Sequence, residues 1–433
     1  MANRWANRGA AVAVAVSLLS CGGTGDDRPD IAGTVLEVVG VWDDTEAAAF
    51  REVLAAFEAR SGATVEYTST EGEDIGAVLD ARLADGHPPD VAFLPQPGLL
   101  ARYAREGVIH PLGDEIAADV RARYAPEWRR LATVDGELYG VWFKAADKSL
   151  VWYHVGAFER AGIVPPDDLD RLDAVADGLA DDGTPPFALA AAPEDAWVVT
   201  DLFENLYLRV AGPEGYDDLA AHRIPWTDDS VQSTLRLLAR LVAPGHLAGG
   251  VDGTLRSRLA DAAGLVFSPE PGAAMLVGGD FVPGVVAGTT DAEVGIDVDV
   301  VPFPEPSPGG RLVVGGGDAA VVMRRRVAAS ELVHFLASAE AAEAWAVRGG
   351  FLSPNEDLDL GAYPDGTTRR IARALLEAGD GFRFDLSDLQ PAEFGSTTGA
   401  GMWAVLRDFV AQPDDVAGTA ARLEEAADAA WAS

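Results

Sequence analysis

The strongest constraint on the fold is a regular alternation of short apolar runs with amphipathic segments. Residues 35–41 (VLEVVGV) are rich in β-branched side chains, which is typical of a buried strand. Segment 50–57 then repeats its apolar residues at helical spacing. Residues 64–68 and 90–94 predict two more strands, and residues 75–84 predict a helix between them. This alternation predicts an α/β fold with a parallel sheet.

Later segments extend the pattern along the chain. Further strands are predicted at 149–153, 264–267 and 294–301, and closing helices at 328–337, 369–378, 402–411 and 416–430. A chain of 433 residues exceeds what one hydrophobic core usually holds, so we expect it to divide into two lobes. Residues 145–148 lie between two strand-like runs and are interpreted as the first crossover between the lobes.

The N-terminus has the pattern of an export signal followed by a lipid attachment site. Arg4 and Arg8 precede an apolar run at residues 10–19, which is too short to span a bilayer. The next residues, 18–21 (LLSC), resemble the bacterial lipobox, in which the cysteine is acylated and becomes the first mature residue. The pattern therefore predicts a signal peptide at residues 1–20.

Cys21 is the only cysteine of the chain, so no intramolecular disulfide is possible. An ordinary signal peptide that contains a cysteine is the alternative, but the sole cysteine falls at the position that the lipobox requires. Residues 21–34 are small and polar, which is typical of a flexible tether. We expect an exported protein that is anchored to the outer face of the cell membrane through lipidated Cys21.

Composition and motifs exclude several kinds of partner. A formal net charge of -36 opposes binding to nucleic-acid phosphates, and the short basic run at residues 324–326 is interpreted as a solvated turn. The sequence has no His-Glu-x-x-His, Gly-x-Ser-x-Gly or P-loop motif, and its six histidines are not at metal-ligand spacing. We expect no nucleic-acid partner, no metal and no cofactor.

The order of several short motifs identifies a family resemblance. They are residues 88–91 (PPDV), 96–100 (QPGLL), 135–141 (DGELYGV), 148–153 (KSLVWY), 315–318 (GGGD), 349–355 (GGFLSPN) and 382–389 (FRFDLSDL). Together they resemble the extracellular carbohydrate-binding proteins of ABC importers, in particular the α-glucoside-binding branch and, more distantly, the maltose-binding proteins. The resemblance covers nearly the whole mature chain.

This resemblance implies a two-lobed periplasmic-binding-protein-like fold with several inter-lobe crossings, in which hinge motion closes a cleft around a sugar. We assign residues 35–144 and 296–350 to lobe one, and residues 145–295 and 351–433 to lobe two. The implied partners of the monomer are an α-glucoside or related oligosaccharide and the subunits of an ABC permease. The chain departs from the family at residues 271–280, where no histidine, arginine or aromatic side chain is present.

Recognition of a sugar requires aromatic rings against its C–H faces and charged or amide groups around its hydroxyl rim. For the rings we select Trp42, which follows the first strand, Trp197, which lies in a loop before a helix, and Trp403. Trp403 follows a small-residue loop, and the resemblance to maltose-binding proteins implies a tryptophan at the start of this helix. Candidates for the rim lie after strands, near the crossover or after a three-glycine run that would admit a ligand to the backbone: Asp43, Glu46, Gln96, Lys144, Asp147, Asp201 and Asp318.

Two other functions remain open on the sequence alone. A secreted glycoside hydrolase would use a pair of carboxylates as acid and base, and 69 acidic residues guarantee that such pairs exist. A lipid-anchored adhesion or scaffolding protein would explain the anchor but not the two-lobed pattern. The resemblance favours a binding protein that is not an enzyme, and it leaves trehalose, maltose, sucrose and other α-glucosides as possible ligands.

Overall fold

The computed structural model describes residues 29–70, 74–307 and 310–432. The predicted signal peptide and Cys21 lie outside the described residues. Ile31 is buried, and the Gly33 N–H donates a hydrogen bond to the Gly62 carbonyl at 2.8 Å. The tether predicted to extend to residue 34 is therefore shorter, because the folded body already begins at Ile31. None of the described helices is both long and apolar enough to cross a membrane.

The strands in the described part of the chain are short and lie in three sheets. They are β1 (Val35–Gly40), β2 (Thr64–Ser69), β3 (Val91–Leu94), β4 (Thr133–Val134), β5 (Glu137–Leu138), β6 (Gly140–Asp147), β7 (Leu150–His154), β8 (Met275–Val277), β9 (Val298–Pro302), β10 (Val313–Val322) and β11 (Phe382–Phe384).

Helices account for most of the remaining regular structure. They are α1 (Asp44–Ser61), α2 (Ile75–Ala84), α3 (Pro97–Glu106), α4 (Asp114–Arg123), α5 (Pro126–Leu131), α6 (Val155–Ala161), α7 (Leu169–Asp181), α8 (Trp197–Ala220), α9 (Asp229–Leu241), α10 (Gly250–Thr254), α11 (Leu259–Phe267), α12 (Val282–Thr289), α13 (Val327–Leu336), α14 (Ala339–Ala346), α15 (Gly366–Glu377), α16 (Leu386–Leu389), α17 (Ala392–Gly395), α18 (Gly401–Ala411) and α19 (Val416–Trp431). Helix α8 kinks at Gly212, which precedes Pro213.

The large sheet has the order β11-β10-β3-β1-β2, with β6 pairing on β10. Strands β1, β2 and β3 are parallel, as predicted from the alternation of strands and helices. Strand β10 runs antiparallel to both β3 and β6, so the sheet is mixed and not wholly parallel.

The three-stranded sheet, called the small sheet below, is antiparallel throughout, with β7 between β8 and β9. Residues 275–277, in the segment that carries no histidine, arginine or aromatic side chain, supply β8 and are buried. Gly278 and Gly279 then accept hydrogen bonds from the Trp152 indole N–H through their carbonyls, both at 3.1 Å. This segment is apolar because it forms the edge of a buried sheet.

Strand pairing also bears on the lobe boundaries. Strand β9 pairs with β7 in the small sheet, although residues 296–350 were assigned to lobe one. Strand β11 pairs with β10 in the large sheet, although residues 351–433 were assigned to lobe two. We propose that β9 belongs to lobe two and β11 to lobe one, which leaves the other assignments as predicted.

One predicted strand is wrong. Residues 264–267 form the last turn of α11, and not a strand. A short apolar run is compatible with either structure, and the helix is decided by its first turn. There the Asp261 carboxylate accepts a hydrogen bond from the Arg258 N–H at 3.1 Å, while Asp195 accepts one from the Leu259 N–H at 3.0 Å.

The core beneath the large sheet is aromatic. The Trp42 ring centroid lies 4.7 Å from that of Phe50, 4.4 Å from that of Phe93 and 4.9 Å from that of Trp345. Tilted and edge-to-face arrangements of this kind stabilise a core beyond the effect of apolar burial. This core supports the candidate binding site.

Candidate ligand-binding site

Strands β6 and β10 approach each other closely because β10 contains three consecutive glycines. Residues 315–317 lie opposite residues 145–147 in antiparallel register. A Cβ at Gly317 would lie 2.5 Å from the carbonyl oxygen of Lys144, closer than any side chain permits. The glycines thus serve strand pairing, whereas the sequence suggested that they admit a ligand.

The first group of polar residues, the Lys144 cluster, consists of Lys144, Glu46, Asp318 and Trp42. The Lys144 ammonium forms an ion pair with Glu46 at the start of α1, and Asp318 lies directly opposite Lys144 in the β6–β10 ladder. The Trp42 indole N–H donates a hydrogen bond to Asp318 Oδ2 at 3.0 Å. The cluster therefore joins the end of β1, helix α1, and the two paired strands.

Burial and charge act against each other within the Lys144 cluster. Burial disfavours the Lys144 ammonium, but Glu46 and Asp318 more than offset this effect, so the pKa of Lys144 lies above its usual value. Burial raises the pKa of Asp318 to about 6, although Lys144 and the Trp42 N–H act in the opposite direction. The lysine is charged at neutral pH and holds a carboxylate that is poorly solvated, which makes that carboxylate a strong hydrogen-bond acceptor.

Trp42 was predicted to stack on a sugar, but its side chain does not lie on an open surface. Its side chain is buried in the aromatic core with 2% exposure, where no ring face is open to a ligand. Because its indole N–H is bonded to Asp318, Trp42 acts through that carboxylate as a positioning residue. Asp43 is exposed just before α1, and Gln96 is half-buried at the start of α3.

The second group, the Lys148 cluster, consists of Lys148, Asp201, Asp385 and Trp197. The Lys148 ammonium lies 3.1 Å from Asp201 Oδ1, forms a second ion pair with Asp385, and lies 5.6 Å from the centre of the Trp197 ring. Asp201 is buried, and its Oδ2 accepts no hydrogen bond from a described residue. Burial raises the pKa of Asp201 to about 7, Lys148 lowers it, and the charge of Asp385 raises it.

Two further aromatic residues lie on elements next to Trp197: Phe281, whose ring contacts the Trp197 ring, and Trp403, whose helix packs against that of Trp197. The Trp197 and Phe281 rings meet edge to face, with their centroids 5.7 Å apart. Trp403 lies in the first turn of α18, which packs against the helix α8 that begins with Trp197. Trp403 is partly exposed, yet its indole Nε1 is buried and has no hydrogen-bond partner among the described residues. A buried N–H without an acceptor is costly, but Trp142 and Trp226 also bury an unpartnered Nε1, and a ligand oxygen can reach the Trp403 N–H only after the surrounding side chains move apart.

Asp147 connects the two clusters and does not project into the cleft. Its side chain is 1% exposed, and its Oδ1 accepts a hydrogen bond from the Ser149 N–H at 2.8 Å. The Asp147 backbone N–H donates to Asp280 Oδ1 at 2.9 Å. The charges of Lys144 and Glu46 in turn affect the pKa of Asp280, which burial raises to about 6. Asp147 therefore fixes the backbone conformation of the crossover. Its N–H also binds Asp280, whose pKa is affected by charges of the Lys144 cluster.

Sequence reasoning missed four residues of this arrangement: Lys148, Asp280, Phe281 and Asp385. One signal in the sequence could have found Lys148, because Lys144 and Lys148 are the only lysines in the chain and lie four residues apart on the crossover. Asp385 had no such signal, since it is more than two hundred residues from its partner in sequence.

A family comparison agrees with this architecture. The model for bacterial extracellular solute-binding proteins matches residues 42–343. The chain belongs to this family. The predicted two-lobed α/β binding-protein fold and the prediction that the chain is not an enzyme are thereby confirmed.

Individual relatives of this solute-binding protein cover nearly its whole length. The osmoprotective compounds-binding protein GgtB of Synechocystis sp. is 32% identical over 409 residues, which is 92% of this chain and 94% of that protein. The alpha-glucosides-binding periplasmic protein AglE of Rhizobium meliloti is 32% identical over 394 residues, or 88% of this chain and 84% of AglE.

Solved structures share the fold at lower identity. The solute receptor AcbH, described as preferring b-D-galactopyranose, superposes with a TM-score of 0.74 at 19% identity, covering 92% of this chain and 98% of AcbH. The cyclic alpha-maltosyl-1,6-maltose binding protein of Arthrobacter globiformis superposes with a TM-score of 0.69 at 18% identity, covering 92% and 98% of the two chains.

The buried carboxyl group of Asp147 leads to a prediction about pH. Burial raises its pKa to about 7, although the Ser149 N–H acts in the opposite direction. Between about pH 4 and pH 7 the folded protein keeps a proton that the unfolded chain has lost, so stability falls as pH rises through this range. Asp147→Asn removes this loss, and its advantage over the wild type should grow from pH 5 to pH 8 by at most about 2.5 kcal/mol, because roughly two pKa units of the shift lie above pH 5.

Urea unfolding of both proteins at the two pH values measures this difference. Asp43→Asn, which changes an exposed carboxylate, should alter the unfolding free energy by less than about 0.5 kcal/mol at either pH and serves as the matched control. An Asp147→Asn advantage that stays constant or shrinks between pH 5 and pH 8 would show that the buried carboxyl is not protonated as described.

Proposed function

We propose that this protein is the lipid-anchored substrate-binding component of an ABC importer and captures an α-glucoside or related oligosaccharide in its inter-lobe cleft. In this proposal the two lobes close around the sugar, and the monomer delivers it to the permease subunits. Family membership supports the transport role, and the similarity to AglE, an alpha-glucosides-binding protein, supports the class of sugar.

The observation that carries the proposal is the unpartnered indole N–H of Trp403. Trp403 lies on α18, which packs against the helix that supplies Trp197 and Asp201. A pyranose offers C–H faces to the two rings and hydroxyl groups that both donate and accept hydrogen bonds. One hydroxyl can accept from Trp403 Nε1, and another can donate to Asp201 Oδ2.

The Lys144 cluster supplies the opposite wall in this proposal. Glu46 and Asp318 offer acceptors from lobe one, and the Lys144 ammonium offers donors. Charge-assisted hydrogen bonds of this kind are about twice as strong as neutral ones. Asp43 and Gln96, at the edge of this wall, remain proposed contacts, and Asp147 is proposed to hold the crossover.

Truncation of the two rings in lobe two tests the site. A thermal-shift panel of trehalose, maltose and sucrose first identifies the disaccharide that stabilises the protein most. Trp403→Ala and Trp197→Ala should then each lower the affinity for that disaccharide by about thirtyfold, because a buried aromatic anchor contributes about 2 kcal/mol. Calorimetric titration of folded variants measures the change.

The same truncation at Trp431, which is 44% exposed, is the matched control and should leave the affinity unchanged. Folded Trp403→Ala and Trp197→Ala proteins that bind the disaccharide as tightly as the wild type would remove this site from consideration. Release of monosaccharide during the titration would instead favour the hydrolase alternative.

The anchor is tested separately at Cys21, the chain's only cysteine. Cys21→Ser removes the thiol that would carry the lipid, so the variant should move from the membrane fraction into the medium. Fractionation of cells that express either protein, followed by immunoblotting, measures the distribution. If the serine variant stays with membranes at the wild-type level, the anchor lies elsewhere.

A further inference from the structure

A group of potential metal ligands lies in lobe two, among residues that belong to neither the Lys144 cluster nor the Lys148 cluster. His222 follows α8, and Glu424 and Asp428 lie one turn apart on α19. His222 Nε2 is 3.4 Å from Glu424 Oε1 and 3.9 Å from Asp428 Oδ1, and the three donor atoms lie within 4.8 Å of one another. The sequence did not reveal this group, because about two hundred residues separate the histidine from the two carboxylates.

The distances match those of a small transition-metal site. Zinc binds imidazole nitrogen and carboxylate oxygen at about 2.0–2.2 Å, and two ligands of a tetrahedral ion are then about 3.3–3.6 Å apart. One observed separation falls in this range, the second exceeds it by a few tenths of an ångström, and the third, between the two carboxylates, is at most 4.8 Å, so the carboxylate side chains must move together to bind the ion. Three protein ligands leave the fourth position for water.

The backbone at His222 adopts a left-handed conformation at the end of α8. Helix α8 ends in a Schellman motif, in which the His222 N–H bonds to the Leu219 carbonyl and the Arg223 N–H bonds to the Asp218 carbonyl. His222 has a φ of 49°, and this position usually holds glycine, because a Cβ costs about 1 kcal/mol in the left-handed region. The chain tolerates that strain and thereby directs the imidazole toward α19.

Glu424 is held in place by a backbone hydrogen bond, whereas the Asp428 side chain is 68% exposed, and neither is paired with an arginine or lysine among the described residues. The Trp226 N–H donates a hydrogen bond to Glu424 Oε2, which leaves Oε1 directed at His222. Within the ranges that the structure describes, Glu424 and Asp428 form ion pairs with His222 alone, while Arg223 pairs with Asp218. Two carboxylates with no arginine between them favour a divalent cation.

We propose that His222, Glu424 and Asp428 bind one Zn²⁺ ion and thereby fasten the C-terminal helix α19 to the turn between α8 and α9. An imidazole with two carboxylates suits zinc or a similar first-row transition metal, whereas calcium and magnesium prefer sites built from oxygen alone. The ion is structural in this proposal, and it stabilises the folded chain in proportion to its occupancy.

Titration of Zn²⁺ into the metal-free protein tests the site. The Cys21→Ser chain is used, so that no thiol competes for the ion. We expect one bound Zn²⁺ per chain and a rise in melting temperature. His222→Asn keeps a residue that tolerates the left-handed conformation but removes the ligand, so it should fold normally and lose at least tenfold in affinity. Asp428→Asn should also weaken binding.

The matched control is His246→Asn. His246 Nε2 lies 3.2 Å from the Asp177 carboxylate, but no third potential ligand lies near this pair among the described residues. This variant should keep the wild-type stoichiometry and affinity. A local reporter is also present, since the Trp431 ring lies 5.8 Å from the His222 ring, and Cu²⁺ at the site should quench its fluorescence.

Several results would overturn the proposal. They are the absence of Zn²⁺ binding by the wild type, unchanged binding by both His222→Asn and Asp428→Asn, equal loss in His246→Asn, and displacement of Zn²⁺ by equimolar Ca²⁺. None of these outcomes bears on sugar affinity, so the zinc site and the proposed transport function fail or stand independently.

Discussion

The antiparallel pairing of β6 with β10 is the constraint on which the rest of the binding site depends. A Cβ at Gly315 or Gly317 would lie within 2.7 Å of a carbonyl oxygen of β6, so these two glycines allow the backbones to pair as closely as they do. The pairing places Asp318 opposite Lys144 and carries the chain onward to Lys148. Strand β6 belongs to the large sheet and leads through Lys148 to β7 of the small sheet. Its pairing with β10 therefore positions the polar groups along this crossover.

The two lysines on this crossover are the only lysines in the sequence, and each lies beside a buried carboxylate: Lys148 pairs with Asp201 and Asp385, while Lys144 pairs with the partly exposed Glu46 and lies opposite the buried Asp318. Removing one partner of a buried ion pair typically costs about 3–5 kcal/mol, because the remaining charge is left without compensation. A compact ammonium fits between two carboxylates more readily than a planar guanidinium does. The pairs therefore hold acidic groups in a poorly solvated state, in which they form strong hydrogen bonds to a polar ligand.

Much of the fold could be predicted because it depends on local patterns. Helix α2 was predicted at its observed residues, and β1 and β3 follow from runs of apolar side chains. The residues of the site were harder to predict, because burial and long-range pairing decide their roles. Trp42 was selected as a strand-end tryptophan, but the aromatic core encloses it and Asp318 takes its N–H. Asp385 and the His222 group depend on contacts across more than a hundred and fifty residues, which no local pattern encodes.

The central claim is that a sugar bound beside the crossover draws the two lobes together. Small-angle X-ray scattering of the purified protein, with and without the disaccharide chosen by thermal shift, tests this claim directly. We expect a smaller radius of gyration for the wild type as disaccharide is added, and little change for Trp403→Ala at about three times the wild-type Kd, where a thirtyfold weaker site is only about one-tenth occupied. An unchanged radius of gyration for the wild type, at a concentration that calorimetry shows to be saturating, would contradict it.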